Sequence, residues 1–257
     1  MLHGLGDTGS GWSSVAPELA LPHVKWVFPT APTRPISVNG GMAMPGWFDI
    51  ENLSVERFSA MMAGGAGGFD AKGTAESVEY VNGLVDAEVA AGVPPARVVL
   101  GGFSQGGYVA LKAALARAPR LAGCAALSTW MEPPAAGEAP LPAEHAGLPV
   151  FYGHGAADPL IPPQVATATL AGLRERLGMT DVVFKLYPGL PHSANAEEMA
   201  DLKAWLQRVL PAEAPTPAAV RGMSARELKA LLGARGVPTA GLLEKAELVE
   251  AALKSLL

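Results

Sequence analysis

The chain has 257 residues, of which 49% are apolar and 17% charged, and its formal net charge at pH 7 is −5. This length allows one α/β domain of ordinary size and a small additional unit. The acidic balance argues against general binding of the whole chain to nucleic acid or to an anionic membrane, because both need an excess of basic residues.

The sequence shows no sign of a disulfide-bonded, membrane-spanning or metal-binding protein. The single cysteine, Cys124, excludes an internal disulfide and falls in an apolar run, where we expect a buried thiol. No apolar run reaches the length of a membrane-spanning helix, and polar loop residues begin at His3, so no signal peptide is visible. The sequence has neither an H-E-x-x-H motif nor a Cys/His cluster, and we therefore predict no metal site.

The first part of the chain is rich in loops. Residues 1–9 form a glycine-rich loop with no strand in front of it, and 24–28 predict a short strand. The segment 42–49 is too irregular for a helix, and we expect a loop that packs in the core or walls an apolar cleft. A glycine run at 64–68 predicts a flexible surface loop. Apolar residues at helical spacing predict a helix from 74 to about 89.

The central motif is an apolar strand that runs into a glycine-flanked turn and then into a helix starting at Gln105. Gly102, Ser104 and Gly106 fit the G-x-S-x-G pattern of a nucleophile elbow, which holds a serine on a sharp turn. A side chain two residues before or after the serine would clash with the neighbouring helix or strand. A glycine-rich turn without chemistry has the same pattern, so partners elsewhere in the chain decide between the two interpretations.

The second part of the chain alternates strands and helices. Strands are predicted at 123–127, 149–155 and 182–187, a helix at about 164–177 and a Pro/Ala loop at 133–148. A closing helix carries its apolar residues on one face: Met199, Leu202, Trp205, Leu206 and Val209. This alternation predicts an α/β fold with a mainly parallel sheet and helices on both faces.

Three polar residues follow the carboxyl ends of successive strands, namely Ser104, Asp158 and His192. In open parallel sheets the functional groups gather at this edge. A serine hydroxyl needs a base to take its proton, an imidazole titrates near neutrality, and a carboxylate can orient that imidazole. The chain order Ser…Asp…His is that of α/β-hydrolases, so we predict a hydrolytic triad.

The remaining histidines fit the role of the base less well. His23 and His145 fall in segments that we expect at the surface. His154 lies between two glycines at a strand end, where it would support the site or pack in the core. His3 belongs to the glycine loop, which we expect it to orient.

With these motifs, the sequence resembles the acyl-protein thioesterase and lysophospholipase group of carboxylesterases, which are serine hydrolases of the α/β-hydrolase fold. The resemblance extends from residue 2 to about 210, roughly four-fifths of the chain. It rests on the segments 2–9, 42–49, 100–107, 127–130, 153–155 with 158–159, and 191–192.

The resemblance implies a role for each matching residue. Ser104 would be the nucleophile, His192 the base and Asp158 the residue that orients it, while the backbone N–H groups of Leu5 and Gln105 would form the oxyanion hole. The implied substrates are thioesters of S-acylated proteins, lysophospholipids or small carboxylic esters, and no cofactor is needed. Further candidates for substrate contact are Trp47, Leu160 and Ile161.

Two alternatives to a thioesterase stay open at this point. One is a general carboxylesterase for small soluble esters. The other is a catalytically impaired hydrolase body that acts as an interaction module. We expect a cytoplasmic protein without integral membrane association, with the nucleus as a second compartment.

The N-terminus departs from the family pattern. The family has a strand before the His-Gly loop, next to the elbow strand, and Met1 stands in its place here. We therefore expect a truncated sheet in which the N-terminal strand is missing and Leu5 is less firmly positioned. A targeting peptide could have been lost with that strand.

We expect the hydrolase domain to span 1–210, with a Pro/Ala linker at 211–222 and a small helical domain at 223–257. Ser224 and Glu227 form a capping box at the start of a helix, and a second helix follows from about Glu244. This pattern resembles the SAP motif, a helix–turn–helix hairpin. Some SAP hairpins bind DNA, but six Lys or Arg residues against four Glu in 221–257 favour a protein partner.

Overall fold

The computed structural model describes residues 1–62, 69–132, 141, 143–213, 215–242 and 244–256. The chain divides into two compact units, Met1–Leu210 and Pro211–Leu257. The predicted glycine loop at 64–68 and residues 133–140 and 142 of the predicted Pro/Ala loop lie outside the described residues.

The larger unit contains a parallel sheet and a separate hairpin. Its strands are β1 Thr33–Ile36, β2 Met42–Pro45, β3 Val99–Phe103, β4 Gly123–Leu127, β5 Val150–Gly155 and β6 Val182–Tyr187. Its α-helices are α1 Gly9–Trp12, α2 Val15–Leu19, α3 Val55–Met62, α4 Ala71–Ala90, α5 Gln105–Ala116, α6 Pro163–Ala171 and α7 Ala196–Val209. Short 3-10 turns lie at Ser37–Asn39, Pro95–Arg97 and Ala143–Gly147, and a π-helical turn, Gly172–Arg176, continues α6. β3, β4, β5 and β6 are parallel neighbours in that order, while β1 and β2 pair antiparallel.

The predicted alternation of strands and helices is confirmed, and β4 and β6 have the predicted bounds. α4 begins three residues earlier than expected, because the side chain of Asp70 caps it by accepting a hydrogen bond from the N–H of Gly73 (2.9 Å). Two predictions are wrong. The segment 42–49 is not wholly a loop, since β2 pairs along its length with β1. The segment 24–28 is not a strand, because it forms no ladder with any described residue.

Helices cover both faces of the sheet, as β4 shows most simply. Its side chains alternate, so that Cys124 and Ala126 lie in one apolar cluster with α4, α5 and α6. Ala125 and Leu127 lie in the other, with α2 and α7. All five residues of β4 are buried, as expected for a central parallel strand. The predicted burial of Cys124 is confirmed.

β3 is the first strand of the sheet, and its free edge, opposite β4, is paired with the N-terminal segment only near the carboxyl end of the strand. The N–H of Leu2 donates to the carbonyl of Gly101 (2.7 Å), and the N–H of Phe103 donates to the carbonyl of Leu2 (3.0 Å). Beyond this bridge, β3 borders an apolar cavity of about 270 Å³ whose walls include Trp26 and Leu206. Leu2 therefore provides a single bridge where the family pattern predicts a strand, and that bridge anchors the loop that follows.

The smaller unit is a set of short helices around its own apolar core. Its helices are α8 Pro217–Gly222, α9 Ala225–Ala234 and α10 Lys245–Lys254. The predicted capping box of Ser224 and Glu227 is present at the start of α9. The predicted linker, 211–222, is too long because its second half forms α8. This helix is capped by Thr216, and its Val220 is fully buried in the core of the smaller unit.

Two kinds of feature are absent from the described part of the chain. It contains no helix that is both long enough and apolar enough to span a membrane. The same ranges contain no group of three or more His, Cys, Asp or Glu residues suited to a metal ion.

A buried acidic residue lies where α7 packs on the sheet. The carboxyl group of Glu198 is fully buried against Gly153 of β5, and neither of its oxygens has a hydrogen-bond partner among the described residues. Burial, with a smaller contribution from nearby Asp201, raises the pKa of Glu198 to about 8. The protonated form is therefore the stable one in the folded chain at neutral pH.

Glu198→Gln is expected to reduce the pH dependence of the free energy of unfolding. The folded state of the wild type holds this proton up to about pH 8, whereas the unfolded state releases it near 4.5. Stability from this group is therefore complete below about 4.5 and is lost as the pH rises toward 8, with a slope of up to about 1.4 kcal/mol per pH unit. Urea unfolding at pH 5 and pH 8, followed by tryptophan fluorescence, measures this slope. All five tryptophans lie in the larger unit, so the signal reports on the unit that contains Glu198.

The matched control is Glu197→Gln, which removes the exposed neighbouring carboxylate on the same helix turn. We expect it to keep the wild-type slope. Equal slopes for the wild type and Glu198→Gln would show that Glu198 does not hold a proton in the folded state.

Candidate active site

The turn between β3 and α5 holds Ser104 in a strained backbone conformation, with φ 53° and ψ −121°. A Cβ added to Gly102 would overlap the backbone of Gly106, and one added to Gly106 would overlap the carbonyl groups of Leu2 and His3. The two glycines thus let strand, helix and N-terminal loop approach one another closely. This geometry is the nucleophile elbow that the G-x-S-x-G pattern predicts.

The three predicted triad residues meet at the carboxyl end of the sheet. The imidazole of His192 lies between the other two, with Nε2 3.0 Å from Ser104 Oγ and Nδ1 2.6 Å from Asp158 Oδ2. In this arrangement the hydroxyl of Ser104 donates to Nε2, and the N–H at Nδ1 donates to the carboxylate. The ring of Phe103 packs against the imidazole at a centroid distance of 4.8 Å. The arrangement is able to remove a proton from Ser104 and return it to a leaving group.

The carboxylate of Asp158 is buried and fully engaged. Its Oδ1 accepts hydrogen bonds from the N–H groups of Leu160 and Ile161, both at 2.9 Å, which leaves Oδ2 for His192. Burial by itself would raise the pKa of Asp158, but the bonds from His192, Ile161 and Leu160 outweigh it and lower that pKa. The carboxylate therefore stays ionised and can stabilise an imidazolium.

His154 supports the turn that carries Asp158. It is fully buried, and its Nε2 lies 2.9 Å from the carbonyl oxygen of Ile161 and 3.7 Å from Asp158 Oδ2. Burial lowers the pKa of His154, so the ring is neutral and its Nε2–H donates to the carbonyl. Its position agrees with the expected supporting role.

The two residues predicted to donate to an oxyanion both belong to segments that adjoin Ser104. Gln105 is the first residue of α5, so its N–H is one of those that a helix N-terminus leaves without an intrahelical partner. Leu5 follows Gly4, whose added Cβ would lie 3.4 Å from Ser104 Cβ. The loop is anchored beyond Leu5 by a hydrogen bond from the N–H of Gly6 to the carbonyl of Pro45 (2.8 Å). Leu5 is thus more firmly placed than the sequence suggested.

Two of the three predicted substrate contacts have buried side chains. Trp47 and Ile161 have 0% and 1% of their surface exposed, so both side chains pack inside the protein. Leu160, between Asp158 and Ile161, is 49% exposed and remains a candidate. Side chains in a turn point in different directions, which the sequence alone does not resolve.

Three buried side chains, two of them near the site and the third, His145, at the far end of α5, make hydrogen bonds that the sequence did not indicate. The amide of Gln105 accepts from the N–H of Trp47 (2.9 Å) and donates to the carbonyl of Phe48 (2.6 Å). The hydroxyl of Thr129 donates to the carbonyl of Ser104 (2.7 Å). His145, expected at the surface, is buried and its Nε2 lies 2.6 Å from the carbonyl of Arg117. Of these, Gln105 and Thr129 belong to segments that carry the family resemblance.

Comparison with known proteins agrees with this geometry. Residues 1–210 match the phospholipase/carboxylesterase family, and residues 219–257 match the SAP domain. The chain belongs to the phospholipase/carboxylesterase family. It is 41% identical over 223 residues to acyl-protein thioesterase 1 of Cryptococcus neoformans var. neoformans serotype D, and this match covers 81% of the chain and 90% of that protein. It is 39% identical to acyl-protein thioesterase 1 of Mycosarcoma maydis, covering 82% of the chain and 90% of that protein.

Solved structures give the same result for the fold of this family member. Arabidopsis thaliana SOBER1 is 29% identical with a TM-score of 0.69, and the match covers 81% of the chain and 96% of that protein. Zea mays acyl-protein thioesterase 2 is 30% identical, with a TM-score of 0.67 and coverage of 81% and 91%. The predicted α/β-hydrolase fold is confirmed. Family and relatives together indicate a hydrolase of carboxylic esters or thioesters.

Asp158→Asn is expected to lower kcat by about 10⁴-fold with little change in fold. An amide at this position can donate to Nδ1 and so stabilise the tautomer of His192 that cannot take a proton from Ser104. Hydrolysis of a p-nitrophenyl ester measures kcat, and the melting temperature reports on the fold.

The control for Asp158→Asn is Asp201→Asn, which changes a carboxylate on α7 that bonds Lys185 and Tyr187. We expect it to retain wild-type kcat. A loss of less than tenfold in Asp158→Asn would contradict the role assigned to Asp158.

Proposed function

We propose that the chain is an acyl-protein thioesterase that removes acyl groups from S-acylated cysteines through a Ser104–His192–Asp158 triad. The observation that carries this proposal is the hydrogen-bonded series from Ser104 Oγ through His192 to Asp158, at 3.0 and 2.6 Å. The 41% identity to a protein named acyl-protein thioesterase 1 supports the thioester substrate.

In the first half of the reaction, the Oγ of Ser104 attacks the thioester carbonyl carbon while Nε2 of His192 takes the hydroxyl proton. The carbonyl π electrons move to its oxygen, and the N–H groups of Leu5 and Gln105 stabilise the resulting oxyanion. When the tetrahedral intermediate collapses, the C–S bond breaks and the cysteine sulfur leaves with the proton held by His192. The acyl group is then an ester of Ser104.

In the second half, water attacks the acyl ester and gives a proton to Nε2 of His192. A second oxyanion forms at the same place and collapses, which breaks the bond to Ser104 Oγ and returns the proton to it. The products are a free cysteine thiol and a fatty acid. The ionised carboxylate of Asp158 stabilises the imidazolium in both halves.

Acyl-chain recognition requires apolar surface near Ser104. Leu160 is the exposed candidate, since it lies two residues from Asp158 and is 49% exposed. A general carboxylesterase would turn over short and long acyl groups alike, whereas a thioesterase for S-acylated proteins gains from contacts with the long chain.

We expect kcat/KM for a palmitoylated peptide thioester to exceed that for the acetyl thioester of the same peptide by more than tenfold. Burial of only two methylene groups at about 0.8 kcal/mol each already accounts for such a ratio. Released thiol, detected with a chromogenic disulfide, measures both rates. Equal or higher turnover of the acetyl compound would favour the general carboxylesterase.

Ser104→Ala serves as the control for both substrates, because it should lose fluorophosphonate labelling and all turnover above background. Equal labelling of the wild type and Ser104→Ala would contradict the assignment of Ser104 as the nucleophile.

We propose that the enzyme acts in the cytoplasm, with the nucleus as the alternative compartment.

For the smaller unit we propose a role in protein contacts rather than in DNA binding. The SAP match at 219–257 is compatible with either kind of partner. The small positive balance of 221–257 supports the protein partner, because DNA binding relies on many phosphate contacts from basic residues.

The 257-residue chain is therefore expected to bind duplex DNA only with non-specific affinity, with a Kd of about 10⁻⁶ M or weaker at physiological salt. Fluorescence anisotropy with a labelled duplex over a salt series measures this. Arg226→Glu and Lys229→Glu, at exposed positions of α9, are the matched variants. Nanomolar binding in the wild type that either variant abolishes would overturn the proposal in favour of DNA.

A further inference from the structure

His3 occupies a buried position in the glycine loop, and both of its ring nitrogens are engaged. Nε2 accepts a hydrogen bond from the N–H of Ala31 (3.0 Å), and Nδ1 lies 2.6 Å from the carbonyl oxygen of Gly4. Because Nε2 accepts, the single proton of the neutral ring lies on Nδ1, which donates to that carbonyl. Burial lowers the pKa of His3, so the neutral ring persists at neutral pH.

The carbonyl that His3 holds belongs to the peptide unit whose other end is the N–H of Leu5. A trans peptide is planar, and its C=O and N–H point in opposite directions. A hydrogen bond that fixes the carbonyl of Gly4 therefore also fixes the direction of the N–H of Leu5. The N–H of Asp7 donates to the same carbonyl at 3.3 Å, a longer contact that by itself restrains the plane less.

This peptide unit lies beside the candidate nucleophile. A Cβ added to Gly4 would lie 3.2 Å from the ring of Phe103 and 3.4 Å from Cβ of Ser104, so the peptide passes close to both side chains. The N–H of Leu5 donates no hydrogen bond to any described residue, so it is available to an oxyanion formed on a substrate bound at Ser104.

His3 is itself held by the network around Gln105. The indole N–H of Trp47 donates to the carbonyl of His3 (2.8 Å), and the two rings pack at a centroid distance of 5.2 Å. The backbone N–H of Trp47 donates to the side chain of Gln105 (2.9 Å). The residues that supply the two oxyanion donors, Leu5 and Gln105, are thus joined through buried hydrogen bonds that pass through Trp47 and His3.

We propose that His3 is a positioning residue of the oxyanion hole, whose Nδ1–H holds the Gly4–Leu5 peptide so that the N–H of Leu5 points at the developing oxyanion. This inference rests on the proposed function, because it requires Leu5 to be an oxyanion donor. It assigns to His3 no proton transfer and no contact with the substrate.

Two substitutions separate the two hydrogen bonds of the ring. Asparagine places an amide N–H near the position of Nδ1, so His3→Asn keeps the donor to Gly4 and loses the acceptor for Ala31. Glutamine places an amide oxygen near the position of Nε2, so His3→Gln keeps the acceptor for Ala31 and loses the donor to Gly4.

The experiment measures kcat, KM and melting temperature for both variants and for the wild type with a p-nitrophenyl ester. Loss of an oxyanion donor lowers the rate by about 10²–10³-fold, so a misdirected donor in His3→Gln should lower kcat by about 10–100-fold at unchanged KM. His3→Asn should recover most of this loss, although both variants lose one buried hydrogen bond and a similar amount of stability.

A second readout reports on the oxyanion itself. A trifluoromethyl ketone forms a tetrahedral adduct with Ser104 that carries an oxyanion, so its Ki should rise in His3→Gln by the factor by which kcat/KM falls. His145→Asn is the control for loss of a buried histidine elsewhere, because an asparagine amide lies near the position of Nδ1 and cannot replace the hydrogen bond from Nε2 to the carbonyl of Arg117. It should lower the melting temperature without changing kcat or Ki.

The outcomes distinguish this inference from the proposed function. If the wild type neither turns over the ester nor labels with fluorophosphonate, the proposed function fails. If the wild type is active but His3→Asn and His3→Gln lose kcat equally, or Ki is unchanged in His3→Gln, the positioning role of His3 is overturned while the triad stands.

Discussion

The reactive edge of the sheet depends on the close approach of Gly102 and Gly106, which lets the turn at Ser104 fold against the N-terminal loop. A methyl group on Gly102 would overlap the backbone of Gly106, and one on Gly106 would overlap the carbonyl groups of Leu2 and His3. The conformation of Ser104 is itself unfavourable by about 1–3 kcal/mol. It persists because the N–H of Ser104 donates to the carbonyl of Leu127 (2.9 Å) and Thr129 donates to its carbonyl (2.7 Å).

Around this turn the protein uses buried polar groups whose hydrogen bonds are formed before a substrate binds. The side chain of Gln105 bonds the backbone at 47–48, the indole of Trp47 bonds His3, and the peptide N–H groups of Leu160 and Ile161 bond Asp158. In a low-dielectric interior such bonds are strong, and removing one partner leaves the other unpaired at considerable cost. These bonds hold the segments around Ser104 together before a substrate binds, which is the kind of preorganisation that the proposed oxyanion hole needs.

A second unfavourable local feature lies where α7 packs on β5. The carboxyl group of Glu198 is buried there and has no hydrogen-bond partner among the described residues. The carboxyl group keeps its proton at pH values above its usual pKa, because a buried carboxylate without a partner would cost more free energy than the protonated form. The two apolar clusters on the faces of the sheet contribute free energy of folding that offsets the cost of both this group and the strained turn. The larger unit thus surrounds its unfavourable local features with well-packed apolar residues.

The sequence by itself determined the strands β3, β4, β5 and β6, the elbow at Ser104 and the residue types of the triad. These features are local, since strand hydrophobicity, glycine spacing and the position of polar residues after strands do not depend on distant contacts. Only the tertiary structure decided that Trp47 and Ile161 are buried, that β2 pairs with β1, that α8 belongs to the small unit, and that His3 faces Gly4 and Ala31. Those outcomes depend on which residues far apart in the chain come into contact, and a side chain's exposure follows from those contacts and not from its neighbours in sequence.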